Sequence, residues 1–137
     1  LHLLSLMGIA RPPESRHVLH EQMENAMLQE LALRFEAASV AYAEAHAVER
    51  DADWFLMKLM EEAGEVVQAA NRLSGRSRRK GLDEPELRRC LADETADLLG
   101  HVLLLAHHHR LDLQAAIMRK WRFAPEEPTP ALPPAAR

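Results

Sequence analysis

The chain predicts an all-α fold, an antiparallel helical bundle of about four helices, and three observations predict it. Ala, Leu, Glu and Arg dominate and Gly occurs only five times in 137 residues, a composition that favours helix. Apolar residues recur at spacings of three, four and seven, and no stretch shows the period of two of a half-buried strand. Breakers and N-cap residues divide the chain into segments joined by short connections, which makes consecutive helices antiparallel neighbours.

Residues 1–13 read as a leader, apolar from Leu1 to Ala10 and closed by Pro12 and Pro13. It is short and lacks the basic start of a signal peptide. The helical domain is expected over 14–123. Its first helix spans Glu14 to about Glu49, where neither Gly nor Pro occurs and Val18, Leu19, Met23, Met27, Leu31, Phe35 and Val40 keep helical spacing. Asp51 suits the N-cap of a second helix reaching about Leu73. Ser74-Gly75 stops that helix, with Gly75 suited to the left-handed C′ position. A basic loop follows from Arg76 to Leu82. Asp83 caps a third helix with Pro85 in its first turn, running to about His109, and Asp112 caps a fourth ending near Phe123. Residues 124–137 hold five of the eight prolines and read as a flexible tail.

The net charge of −4 argues against binding a nucleic acid polymer. Cys90 is the only cysteine, so no internal disulfide is possible, and a reducing, cytoplasmic setting is expected. No apolar run approaches the roughly eighteen residues that a membrane span needs.

The acidic residues stand out against this background. On the third helix Leu87, Leu91, Leu98, Val102 and Leu105 form one stripe, and Glu94 lies inside it, with Asp97 and His101 along its edge. A carboxylate facing a core needs a cation or hydrogen bonds to compensate it. On the second helix Leu56, Leu59, Met60, Ala63, Val66, Val67 and Ala70 form the main apolar stripe. Glu61, Glu62 and Glu65 sit off it within an arc of about 100°, on the side that also carries Trp54. In a hairpin of these two helices, facing residues share one index sum. That condition pairs Glu65 with Glu94, Glu62 with Asp97 and Lys58 with His101. Carboxylates gathered without a thiolate suit a hard ion, Mg²⁺ or Mn²⁺.

Glu-Glu-x-x-Glu at 61–65, followed after 28 residues by Glu-x-x-Asp at 94–97, resembles the motif pair of the MazG-like, all-α nucleotide pyrophosphohydrolases. The stretch from Trp54 through Val67 resembles that family's second helix. Asp93 to His101 also resembles the related phosphoribosyl-ATP pyrophosphohydrolases. The resemblance covers about Asp51 to Phe123. It implies a helical bundle assembled as a homodimer or homotetramer, and metal-dependent cleavage of a nucleotide between its α- and β-phosphates. It implies Glu62, Glu65, Glu94 and Asp97 as metal ligands, with Glu61 helping to bind the metal or orienting the attacking water. Lys120 matches a lysine with which the family contacts substrate, but the asparagine that follows in the family is absent here.

Read from the residues alone, Lys58 either touches a phosphate or pairs with Glu62 one turn on. Trp54 either stacks on a base or serves a core or dimer contact. His101 either supports an acid ligand or is an ordinary core histidine, and His107 to His109 diverge around a helix end. The basic loop either steers phosphates inward or is simply a solvated tip. A nucleoside triphosphate is the first expectation for substrate, and phosphoribosyl-ATP the alternative. A non-catalytic helical module is a third reading. A di-iron bundle is a fourth, for which only Glu14-Ser-Arg-His17 offers the Glu-x-x-His pattern.

Overall fold

A computed structural model describes residues 26–134, which form four helices and, among those residues, no strand. These are α1 (Ala26–His46), α2 (Ala52–Leu73), α3 (Glu84–His108) and α4 (Leu113–Trp121). The expected leader, the start of the first helix and the Glu14–His17 pair lie outside the described residues.

The helix starts follow local chemistry. The Asp51 carboxylate accepts from the Trp54 amide at 2.8 Å. Asp83 accepts from the Glu86 amide at 2.9 Å while Glu86 reaches back to the Asp83 amide at 2.8 Å, a reciprocal capping box. Asp112 caps α4 through the Ala115 amide at 3.0 Å. Gly75 takes φ +78° just past α2, as expected. The first helix stops earlier than expected. Ala47 enters the left-handed region at φ 51°, and the Val48 amide bonds back to the Ala43 carbonyl at 2.9 Å. No glycine or proline marks this stop, so composition gave no signal for it.

Helix α3 is the centre of the arrangement. It pairs with α2 in a long hairpin and also packs against α1. The buried apolar residues are Ala32 and Ala43 of α1, Phe55 and Ala69 of α2, and Leu87, Leu103, Leu104 and Ala106 of α3. Phe35 of α1 lies over Gly100, where an added Cβ would stand 2.6 Å from the ring. Gly100→Ala therefore gains about 1 kcal/mol of helix propensity but forces an overpacked contact that typically costs about 1–3 kcal/mol. The expected outcome is a net loss of stability, relieved when Phe35→Leu is added, read from thermal denaturation of the double-mutant cycle.

The expected stripe of α2 is corrected, and that of α3 departs at one position, with Leu87 buried and Leu91, Leu98 and Leu105 partly covered. Leu56, Met60 and Val67 of α2 are each more than half exposed, and Val102 of α3 is also exposed. The buried line of α2 is instead Phe55, Glu62 and Ala69, spaced by seven, or two turns. The helix is rotated so that its acidic side, not its most apolar side, meets α3. Toward its C-terminus, the covered face of α3 runs through Gly100, Leu103, Leu104 and Ala106. There α3 must meet α1 and α2 together.

Candidate metal centre

The α2–α3 hairpin brings Glu62, Glu65 and Glu94 together, with one oxygen from each lying within 4.8 Å of the others. Glu65 and Glu94 face each other across the seam, as the hairpin register requires. Glu62 is the deepest of the three and the only polar or charged side chain among the described residues that is buried, at 6% exposure. Its Oε1 lies 3.0 Å from Lys58 Nζ and 3.6 Å from His101 Nε2. Its Oε2 is buried with no hydrogen-bond partner. A buried carboxylate oxygen without a donor is costly, and a cation held with Glu65 and Glu94 would satisfy it.

Electrostatics point the same way. Partial desolvation raises the pKa of Glu94. The hydrogen bond it would donate to Glu65 when protonated, the Glu65 charge, and the charges of Asp97 and Glu62 add to the shift. Glu94 thus takes up a proton more readily than an isolated glutamate does. The donor set is all carboxylate, so the residues fit a hard divalent ion.

Asp97 and Glu61 lie outside this three-carboxylate cluster. Both are exposed. Asp97 still acts electrostatically on Glu94 and His101. Glu61 pairs with Lys58 at 3.0 Å, so one ammonium bridges Glu61 and Glu62. Burial pulls the Lys58 pKa down, but hydrogen bonds to Glu61 and Glu62 and their charges outweigh it, leaving it above its ordinary value. Burial lowers the pKa of His101, and the Lys58 charge helps, against the opposing pull of Glu62. At neutral pH His101 is therefore a neutral imidazole beside Glu62 rather than an ion-pair partner. Its Nδ1 is buried and unpaired.

Trp54 is half-buried with its ring edge-on to His101, centroids 5.9 Å apart. Its neighbours include a cluster that sequence spacing did not reveal. Arg50 holds Glu36 through two 2.8 Å contacts and lies 5.6 Å from the Trp54 ring centroid and 5.0 Å from that of Phe55. Phe55 stacks on His108 at 4.3 Å. Fourteen residues separate Glu36 from Arg50, across a helix end without a visible stop, so only tertiary structure joins them. Lys120 is exposed in the last turn of α4 and makes no ion pair among the described residues. The basic loop is exposed at the hairpin tip, where Arg79 donates to the Leu73 carbonyl at 3.2 Å.

No helix of the described residues is long and apolar enough to cross a membrane. The family model described as phosphoribosyl-ATP pyrophosphohydrolase matches residues 22–120, a span that contains all four helices but for Trp121. No curated protein and no solved structure matches the chain.

Proposed function

Because the chain belongs to the phosphoribosyl-ATP pyrophosphohydrolase family, within the MazG-like all-α nucleotide pyrophosphohydrolases, we propose that it hydrolyses a nucleoside triphosphate at the α–β phosphoanhydride. The products are a nucleoside monophosphate and pyrophosphate, and the reaction depends on Mg²⁺, with Mn²⁺ as a substitute. The observation that carries this reading is the buried, unpartnered Oε2 of Glu62 beside the Glu65 and Glu94 carboxylates.

Glu62, Glu65 and Glu94 hold the ion, and Asp97 joins them from the next turn of α3. When bound, the ion offsets the negative charge of the phosphates and lowers the pKa of a coordinated water. Glu61 is exposed at the rim of the cluster and is the residue proposed to hold the attacking water and take its proton. His101, neutral and against Glu62, supports that ligand from behind. Trp54 is proposed to contact the base, and Lys120 to contact a phosphate.

Phosphoribosyl-ATP is the second reading, favoured by the description of the matching family. The triphosphate is preferred because of the long hairpin between the acid motifs. Presenting Mg²⁺ with canonical and altered nucleoside triphosphates and with phosphoribosyl-ATP separates the two. Pyrophosphate from triphosphates supports the first reading, whereas turnover of phosphoribosyl-ATP alone replaces it with the second.

A homo-oligomer completes this reading. Leu56, Met57, Met60 and Val67 are each more than half exposed on α2, and a contiguous apolar face of that kind marks an interaction surface. A second copy of the chain is the proposed cover. Light scattering should give a dimer or tetramer for the wild type, and Met60→Asp should shift it to monomer. A monomeric wild type contradicts the assembly.

A further inference from the structure

Lys58 stands one turn before the acidic pair, and its ammonium lies 3.0 Å from both Glu61 Oε2 and Glu62 Oε1. This is not an ordinary surface pair. The Lys58 side chain is 25% exposed and that of Glu62 only 7%, so the contact lies in the seam between α2 and α3, where solvent screening is weak. The two oxygens of Glu62 differ in their surroundings. Oε1 faces Lys58 and, at 3.6 Å, His101. Oε2 is buried and without a partner. A carboxylate can turn about its terminal torsion over a broad range, and Lys58 is the group that fixes this one. His101 stands beyond hydrogen-bond length, which leaves Lys58 as the close donor.

We infer that Lys58 is a positioning residue: it anchors Oε1 of Glu62 so that Oε2 is presented to the metal, and it does not contact the substrate. This rests on the metal-site reading above and assigns the lysine a task within it. Its ammonium is shared between two carboxylates, hydrogen-bonded to Glu61 Oε2 and ion-paired with Glu62 Oε1. Swinging the ammonium out to a phosphate would leave Glu62 Oε1, buried and turned away from the ion, without its close cationic partner among the described residues, an arrangement that buried pairs resist. The same ammonium ties Glu61 to Glu62. It therefore also holds the proposed water-binding carboxylate at a set distance from the metal ligand. Ligand-orienting contacts of this kind govern metal affinity more than substrate affinity.

The test is a titration with Mn²⁺ alone, followed by calorimetry and by electron paramagnetic resonance of free Mn²⁺, on wild type, Lys58→Met and Lys58→Arg. Lys58→Met should weaken Mn²⁺ binding by about tenfold or more, and Lys58→Arg, which keeps charge and donors, should recover most of it. At saturating Mn²⁺ the nucleotide KM of Lys58→Met should stay within about twofold of wild type, with the loss appearing in kcat. Unchanged Mn²⁺ affinity overturns the inference. A raised KM with unchanged Mn²⁺ affinity makes Lys58 a substrate contact instead, and tighter Mn²⁺ binding makes it a competitor of the ion. If circular dichroism shows Lys58→Met unfolded, Lys58→Gln is read in the same way. A wild type that binds no Mn²⁺ removes the metal site itself, whereas a wild type that binds Mn²⁺ with the same affinity as Lys58→Met removes only this role.

Discussion

Glu94→Gln is expected to lower pyrophosphate release by at least about a hundredfold at millimolar Mg²⁺, while the metal-free protein stays at least as stable as wild type at neutral pH. The two effects have one cause. Glu94 is partly desolvated and faces Glu65 across the hairpin, with Asp97 and Glu62 close enough to raise its pKa further. With an ion present those charges are an asset, because they make the site. Without one they repel each other, and the amide removes one of them. The pH dependence follows from the same shift. The folded-state pKa of Glu94 lies above the ordinary 4.5, so its proton is bound more tightly in the folded chain than in the unfolded one. Its contribution to metal-free stability is thus full below pH 4.5 and is lost as pH rises through the raised value. His101 has a lowered pKa and contributes with the opposite sign, but it is common to both proteins and cancels in the comparison. The wild-type melting temperature should therefore fall relative to that of Glu94→Gln as pH rises from 4.5. Added Mg²⁺ should raise the wild-type value more at pH 7 than at pH 5 and leave the variant nearly unmoved. A variant destabilised at neutral pH would show that Glu94 serves the fold and not an ion.

Leu103→Ala is expected to cost about 3 kcal/mol, within the usual range for burying and then deleting a leucine side chain. Leu103 is among the most deeply buried side chains, at 2% exposure, on the part of α3 that is enclosed from two sides. Ala32 of α1 and Ala106 of α3 line the same cavity as Leu103, and such short side chains cannot extend to fill the space it leaves. Chemical denaturation should show the midpoint falling with the slope unchanged. A loss below about 1 kcal/mol would mean that the site collapses or is open to water. The lesion lies away from the acidic cluster, so the folded fraction should retain its response to metal, in contrast to Glu94→Gln.

Much of this was legible because local rules carry it. Asp51, Asp83 and Asp112 mark three helix starts by a short-range hydrogen bond, and Gly75 marks a stop by its freedom at positive φ. The pairing of Glu65 with Glu94 was legible because a single loop joins α2 to α3, so their register follows from counting. What escaped depends on the rotation of a helix about its own axis. The hydrophobic pattern of α2 points to Leu56, Met60 and Val67 as its inner face, yet the folded chain buries Phe55, Glu62 and Ala69. A second copy covering the apolar stripe would reconcile the two. The Glu36–Arg50–Phe55–His108 cluster escaped because it spans three helices and no periodicity connects its members. The burial of Glu62 in particular was not visible, and it is the feature on which the site depends most.

The most direct test of the proposed site is the identity of its products. Phosphorus NMR of a nucleoside triphosphate incubated with the wild-type protein, with Mg²⁺ and again with a chelator, should show monophosphate and pyrophosphate appearing together in the first sample and neither in the second. Orthophosphate with a diphosphate, or turnover that survives the chelator, would contradict it.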